Sequence, residues 1–240
     1  MARLNPQQSC PPLLMLPGMM CDARLFTPQI AALSAGRSLM VPDLSGEKSI
    51  AALAEKILDE APPRFALAGL SMGGIVAMEM LAQQPERVAG IALMNTNPRA
   101  ELPEVRAGRG PQIEAAHQGQ MLALMEERMF PLYSASGDPS ISAIARDMAA
   151  SLGPEAFIRQ SLALRDREDL SDVLQRSHIP TLILGGHNDL LCPPERHEYM
   201  ASLMPHAKLV MLAETAHLST LERPVETSAA LNEWLETLHD

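Results

Sequence analysis

A serine between two glycines is the part of the sequence with the clearest chemical potential. Ser71 occurs in Gly69-Leu-Ser71-Met-Gly73, after an apolar run typical of a buried strand and before a segment with a helical pattern. A G-x-S-x-G sequence in that context is typical of a nucleophile elbow, a sharp turn that holds the serine in a strained backbone conformation. Side chains at Gly69 and Gly73 would collide in such a turn, and a helix beginning at Met72 would place free N–H groups beside the serine oxygen. The alternative is a glycine-rich turn with an incidental serine.

A serine hydroxyl is a weak nucleophile at neutral pH and needs a neighbouring base. Of the seven histidines, His217 is the candidate because it lies in a loop after the predicted strand 208–212. The carboxyl ends of parallel strands meet at one edge of a sheet, where ligands bind, and Ser71 would lie at that same edge. The other histidines, His239 included, lie in helical, charged segments or in polar turns, so we assign them no chemistry.

The imidazole of such a base needs a carboxylate that holds its tautomer and stabilises its charged form. Asp189 follows a predicted strand and therefore reaches the same edge. The end of the predicted strand 88–94 offers Asn95-Thr-Asn97, which contains no carboxylate. Asp43 also follows a strand, but its turn-rich surroundings favour hydrogen bonds to nearby backbone groups. We interpret His187, which lies two residues before Asp189, as a loop residue.

Short apolar runs bounded by turn residues alternate with helical patterns, which is typical of parallel βα units covered by helices on both faces. The predicted strands are residues 12–16, 39–41, 64–70, 88–94, 181–184 and 208–212. The predicted helices of this series are residues 23–33, 50–60, 72–84, 193–204 and 224–238. The alternation breaks between residues 97 and 167, where only helical patterns occur, so we expect a helical insertion over one edge of the sheet.

The chain resembles the α/β-hydrolase fold superfamily, and within it the small serine esterase and lactonase type, from about residue 13 to its end. The motifs that carry the resemblance are Leu16-Pro-Gly-Met-Met20, Pro42-Asp-Leu-Ser-Gly46, Gly69-Leu-Ser-Met-Gly-Gly74, Gly185-Gly-His-Asn-Asp189, and Ala216-His217 followed by Glu222-Arg-Pro224. The order Ser71, Asp189, His217 is also the chain order of the triad in that superfamily.

The resemblance implies a role for each matching residue. Ser71 would be the nucleophile, His217 the general base and acid, and Asp189 the acid that orients the histidine. The oxyanion hole would consist of the backbone N–H groups of Met19 and Met72, next to the elbow glycines Gly69 and Gly73. Neither a metal nor an organic cofactor is implied.

The resemblance also implies a division of the chain. Residues 1–96 and 168–240 would form the α/β-hydrolase core, and residues 97–167 a helical cap. Many relatives have His-Gly where this chain has Pro17-Gly18, and they carry two further strands before the first motif. Because only twelve residues precede Leu13, we expect about six strands, mainly parallel. Three methionines share one helical face of the cap, and we expect them to pack on the core or to form an apolar lid: Met121, Met125 and Met129.

Composition limits the partners. The formal net charge of −10 and the lack of any Lys/Arg cluster argue against nucleic acid and anionic membranes, which leaves small-molecule substrates. Three cysteines without metal-ligand spacing suit a reducing compartment. The first ten residues lack a secretory signal pattern and no apolar run approaches the length of a membrane span, so we expect a cytoplasmic protein. Monomer and homodimer both remain open.

Three functions fit these features. The first is hydrolysis of a small ester, thioester or lactone through an acyl-enzyme on Ser71. The second uses the same triad for carbon–carbon hydrolysis or elimination. The third is a non-catalytic small-molecule receptor on the same fold, because a fold does not fix a function.

Overall fold

A six-stranded sheet lies at the centre of the protein. The computed structural model describes residues 10–238, so residues 1–9 and 239–240, which include His239, lie outside it. The strands are β1 (Leu13–Leu16), β2 (Leu39–Met40), β3 (Phe65–Leu70), β4 (Val88–Met94), β5 (Thr181–Gly186) and β6 (Lys208–Leu212). They are ordered β2-β1-β3-β4-β5-β6, and every neighbouring pair is parallel. The predicted fold, an α/β-hydrolase sheet of about six mainly parallel strands, is confirmed.

Helices connect the strands and cover both faces of the sheet. They are α1 (Thr27–Leu33), α2 (Ile50–Glu60), α3 (Met72–Gln83), α4 (Pro103–His117), α5 (Met121–Arg128), α6 (Pro139–Arg165), α7 (Ser171–Arg176), α8 (Pro194–Leu203), α9 (Ser219–Glu222) and α10 (Pro224–Leu235). The predicted helix 23–33 is divided into a 3₁₀ turn, Ala23–Phe26, and α1. The Asp22 side chain accepts a hydrogen bond from the N–H of Arg24 and caps the 3₁₀ turn, and Pro28 suits the first turn of α1.

Two apolar clusters hold the sheet between its helices. Successive side chains of a strand point to opposite faces. Leu13 and Met15 therefore pack in one cluster, whereas Leu14 and Leu16 pack in the other. All four side chains are fully buried. With both faces covered, the carboxyl edge of the sheet is the place where loops can form a site.

Residues 97–167, between β4 and β5, are helical, as predicted, and contain α4, α5 and α6, while α7 follows before β5. Met121 and Met125 of α5 are buried in one of the apolar clusters, and Met129 packs against it partly exposed. A kink divides α6 at Gly153, whose φ of 75° favours glycine. Within residues 10–238, the structure contains no helix that combines the length and the hydropathy needed to cross a bilayer.

Candidate active site

Ser71 occupies the turn between β3 and α3 in a strained conformation. Its φ of 56° and ψ of −119° lie outside the regions that a side chain normally allows. The N–H of Ser71 donates to the carbonyl of Met94 at 2.9 Å, which fixes the turn to β4. A methyl group at Gly69 would collide with the Gly73 carbonyl, and one at Gly73 would collide with the Leu16 carbonyl. The two glycines are therefore required by backbone packing, as the sequence predicted.

His217 and Asp189 form a buried pair at the same edge of the sheet. Asp189 lies three residues after β5 and His217 five residues after β6. The distance from His217 Nδ1 to Asp189 Oδ2 is 2.9 Å, and both residues are less than 5% exposed. Because a carboxylate only accepts, the imidazole carries its proton on Nδ1, which leaves Nε2 free to accept a proton. Ser71 and His217 line one pocket, although the described residues show no hydrogen bond between their side chains.

The carboxylate of Asp189 is held in its ionised form. Its Oδ1 accepts from the N–H groups of Leu191 at 2.9 Å and Cys192 at 2.8 Å. Its Oδ2 accepts from the Asn95 amide at 2.9 Å. Burial alone would raise the pKa of Asp189, but His217, the Cys192 N–H and the Asn95 amide outweigh it and hold the pKa below its usual value. An ionised Asp189 can stabilise a positive charge on His217.

Asn95 is a functional candidate that the sequence reasoning missed. It directly follows β4, has a φ of 46° and is fully buried. Its Nδ2 donates both to Asp189 and to the carbonyl of Ala216 at 3.1 Å, and its Oδ1 accepts from the hydroxyl of Ser219 at 2.6 Å. The amide thus ties the aspartate loop to the histidine loop. Its position directly after the predicted strand 88–94, at the carboxyl edge of the sheet, could have indicated it. We considered only a carboxylate there.

Glu222 fixes the loop that carries His217. Its Oε2 accepts from the N–H of Ala216 at 2.6 Å. Its Oε1 accepts from the Ser134 hydroxyl at 2.6 Å and from the Ser136 N–H at 2.9 Å. Burial would raise the pKa of Glu222, but the Ser134 hydroxyl and the backbone donors outweigh burial and lower the pKa. The histidine loop is therefore braced against the segment that follows α5.

Two backbone N–H groups are available beside Ser71. Neither the N–H of Met19 nor that of Met72 has an acceptor within residues 10–238. A methyl group at Gly18 would lie 3.5 Å from the Cβ of Ser71, so the loop after β1 runs directly past the elbow. That loop is held from α6, because the N–H of Met20 donates to Gln160 Oε1 at 2.8 Å. The residues predicted for an oxyanion hole thus lie next to the serine.

Ser71, Met19, Met72 and His217 open into one cavity of about 320 Å³. Its walls combine apolar side chains with a group of charged ones. The segment between β4 and β5 contributes Glu101, Val105, Arg109, Gln112, Met129, Tyr133, Leu164 and Arg167 to the lining. The Tyr133 ring stacks on the His217 ring at 6.1 Å between centroids, and burial raises the pKa of the Tyr133 phenol above its usual range.

One group of residues in the described chain has the spacing of metal ligands. Ligand atoms of Asp189, Cys192 and His217 all lie within 4.8 Å of one another. Both oxygens of Asp189 already accept hydrogen bonds, and one of these comes from Nδ1 of His217. Burial, followed by the charge of Asp189, raises the pKa of the Cys192 thiol to about 12. A neutral thiol and a carboxylate whose two oxygens already accept hydrogen bonds are poor ligands for a metal ion.

The remaining predictions for single side chains have mixed outcomes. Asp43 accepts hydrogen bonds at 2.8 Å from both the N–H and the hydroxyl of Ser45, which confirms its role in the turn. His187 is exposed in its loop, as predicted. His197 is fully buried against Gly185, although the sequence had indicated only a charged helical segment. Burial lowers the pKa of His197.

Comparison with known proteins gives an independent measure of likeness. A sequence model of the alpha/beta hydrolase family matches residues 13–230. A thermophilic esterase from Thermogutta terrifontis with malate bound is 27% identical, with 97% of this chain and 92% of that chain covered and a TM-score of 0.88. An enol-lactonase from Burkholderia xenovorans is 22% identical, with coverage of 97% and 94% and a TM-score of 0.83. An esterase from Exiguobacterium antarcticum is 21% identical, with coverage of 96% and 93% and a TM-score of 0.82. The last two likenesses are likenesses of fold.

Proposed function

The chain belongs to the alpha/beta hydrolase family, and from this premise we propose that it is a serine hydrolase of small carboxylic esters, thioesters or lactones. Its likeness to the Thermogutta terrifontis esterase supports a hydrolase that acts on ester bonds. The observation that carries the proposal is the buried His217–Asp189 hydrogen bond of 2.9 Å in the pocket that also exposes Ser71 on its elbow. A hydrogen-bonded base beside an exposed nucleophile is the arrangement that acyl transfer requires.

Acylation begins when the hydroxyl oxygen of Ser71 attacks the substrate carbonyl carbon. His217 accepts the hydroxyl proton on Nε2, and the ionised Asp189 stabilises the imidazolium through Nδ1. The negative charge on the former carbonyl oxygen is stabilised by the N–H groups of Met19 and Met72. The start of α3 adds the positive end of the helix dipole at this point.

Collapse of the tetrahedral intermediate breaks the bond to the alcohol or thiol. His217 gives its proton to this leaving group, and the acyl group remains on Ser71 as an ester. Water then attacks the acyl-enzyme, with His217 as the base and the same two N–H groups as donors. The second collapse releases the carboxylic acid and restores the Ser71 hydroxyl. Apart from the substrate and water, every group that these steps use belongs to this chain.

We assign residues 97–167 as a cap that covers the site, with residues 1–96 and 168–240 as the core. Helix α4 contributes Val105, Arg109 and Gln112 to the pocket lining, and the end of α6 contributes Leu164. Substrate choice would therefore depend on this segment, whereas the reacting groups belong to the core. We further propose that the protein acts on small molecules in the cytoplasm, which its three free cysteines and net charge of −10 support.

Steady-state hydrolysis of a substrate panel by the wild type and by variants tests the proposal. We expect the wild type to cleave at least one member of a panel of short esters, thioesters and lactones. Ser71→Ala and His217→Ala should each lower kcat by at least about 1000-fold, because the triad acts as a unit. Ser34→Ala, at an exposed serine, is the matched control and should retain wild-type rates. Equal loss in the control, or full activity in Ser71→Ala, would contradict the mechanism.

A further inference from the structure

Three charged side chains of the pocket wall form a largely buried ion cluster. Glu101 bridges Arg109 and Arg167, with Oε2 at 2.9 Å from Arg109 Nη2 and Oε1 at 2.6 Å from Arg167 Nη1. The side chains of Glu101, Arg109 and Arg167 are 7%, 13% and 6% exposed. One carboxylate thus faces two guanidinium groups in a largely dehydrated place, where charge is seldom left without a partner.

The two guanidinium groups retain donors that protein atoms do not satisfy well. Arg109 Nη1 reaches only the sulfur of Met19, a weak acceptor, at 3.7 Å. Arg167 donates through Nε to the Arg99 carbonyl at 2.9 Å and through Nη1 to Glu101 and to the Leu164 carbonyl at 3.2 Å. Its Nη2 has no acceptor within residues 10–238. Both arginines line the cavity of Ser71.

A third arginine adds to the positive charge of this cavity. Arg196, near the start of α8, also lines it, and its side chain makes no hydrogen bond in the described part of the chain. The lining therefore holds three arginines against a single carboxylate, Glu101. This excess of positive charge stands in a protein whose formal net charge is −10. The charge of the pocket is opposite to that of the molecule as a whole.

One of these arginines, Arg109, also lies close to the reacting groups. The 3.7 Å contact joins Arg109 to Met19, whose N–H we assign to the oxyanion hole. A cavity of about 320 Å³ whose lining includes both the arginines and Ser71 suits a small molecule with an anionic group near the reacting carbonyl. Guanidinium groups bind carboxylates well because they present several donors in one plane.

We propose that the substrate of this site carries a carboxylate near its scissile ester, thioester or lactone bond, and that Arg109, Arg167 and Arg196 bind this carboxylate. The inference rests on the proposed function, which it deepens by naming the charge of the substrate. The competing explanation is structural: Glu101 and the two arginines would only join α4 to the segment that follows α6. A structural brace would affect neutral and acidic substrates equally, so the ratio of their rates separates the two explanations.

Two chromogenic esters that share a leaving group measure this ratio. We expect wild-type kcat/KM for the p-nitrophenyl monoester of succinic acid to exceed that for p-nitrophenyl butyrate at least tenfold. Arg109→Gln and Arg167→Gln should each reduce this ratio about tenfold or more, because a charge-assisted contact to the acidic substrate is lost. The matched controls are Arg106→Gln on α4 and Arg165→Gln on α6. They remove an exposed and a half-buried arginine outside the pocket lining and should leave the ratio unchanged.

A binding measurement keeps the inference testable if a variant fails to fold. Isothermal titration of succinate into Ser71→Ala should detect binding, whereas the neutral succinamide should bind at least tenfold more weakly. Inorganic phosphate serves as a second anion, and tighter binding of phosphate than of succinate would overturn the choice of a carboxylate. Equal rates for the two esters together with no succinate binding would overturn the inference but leave the hydrolase intact. If the wild type cleaves no ester while Ser71→Ala still binds succinate, the result would instead contradict the proposed function.

Discussion

Replacing Asn95 with alanine should weaken both the fold and the hydrogen-bonded pair of Asp189 and His217. The Asn95 side chain makes one hydrogen bond to the carboxylate of Asp189 and two to neutral groups, the Ala216 carbonyl and the Ser219 hydroxyl. A buried hydrogen bond to a charged group contributes about 1.5–3 kcal/mol and a neutral one about 1 kcal/mol. The loss sums to roughly 3.5–5 kcal/mol, which for a chain of this size lowers Tm by on the order of 10 °C.

The same substitution should slow catalysis, because Asp189 loses one of the donors that hold it against His217. If the charged hydrogen bond is fully expressed in the transition state, kcat falls by roughly tenfold to a hundredfold. Thermal unfolding and ester hydrolysis of Asn95→Ala measure both effects. Asn188→Ala, at an exposed asparagine of the loop that carries Asp189, is the control. It should change the free energy of unfolding by less than about 0.5 kcal/mol. A Tm and kcat of Asn95→Ala equal to those of the wild type would refute the reasoning.

Three further predictions address the elbow, the cysteines and the effect of pH. Gly73→Ala should fail to fold or lose Tm steeply, because its methyl group collides with the Leu16 carbonyl, whereas Gly108→Ala, in an open helical position, should gain about 0.5–1 kcal/mol in chemical denaturation. Native alkylation followed by mass spectrometry should modify the exposed Cys10 alone, since burial raises the pKa of the other two thiols to about 12; rapid triple alkylation would contradict this. The pKa of Asp189 is lower in the folded than in the unfolded chain, so its contribution to stability is present above about pH 4 and is lost as the pH falls through the lowered pKa. The Tm difference between wild type and Asp189→Asn should therefore narrow below about pH 4, and a difference that widens there would refute the assignment.

The framework of the fold could be predicted because it depends on local patterns. The strands 88–94 and 208–212 have the predicted bounds, since their ends coincide with the ends of apolar runs. The elbow was predictable for a similar reason: its glycines are required by atoms within one turn of the chain and the adjacent strand. Ser71, Asp189 and His217 each follow a strand of one parallel sheet, so topology alone brings them to the same edge.

Contacts between side chains that meet only through tertiary packing could not be predicted from the sequence. Glu101 and Arg167 are 66 residues apart in the chain, and no local pattern indicates that they pair. Asn95 was overlooked because only a carboxylate was sought after the strand 88–94. His197 lies on a helix with a charged sequence, and its burial depends on a glycine of β5 that leaves room for the ring. Such contacts require the coordinates of both partners.

The most direct test of the central claim is the reactivity of Ser71 itself. Intact mass spectrometry after exposure to a fluorophosphonate probe would be compared for the wild type, Ser71→Ala and His217→Ala. We expect a single adduct on the wild type that maps to Ser71 and is absent from both variants, because the serine is nucleophilic only with its base in place. A folded wild-type protein that forms no adduct, or an adduct that persists in Ser71→Ala, would contradict the assignment of a serine hydrolase.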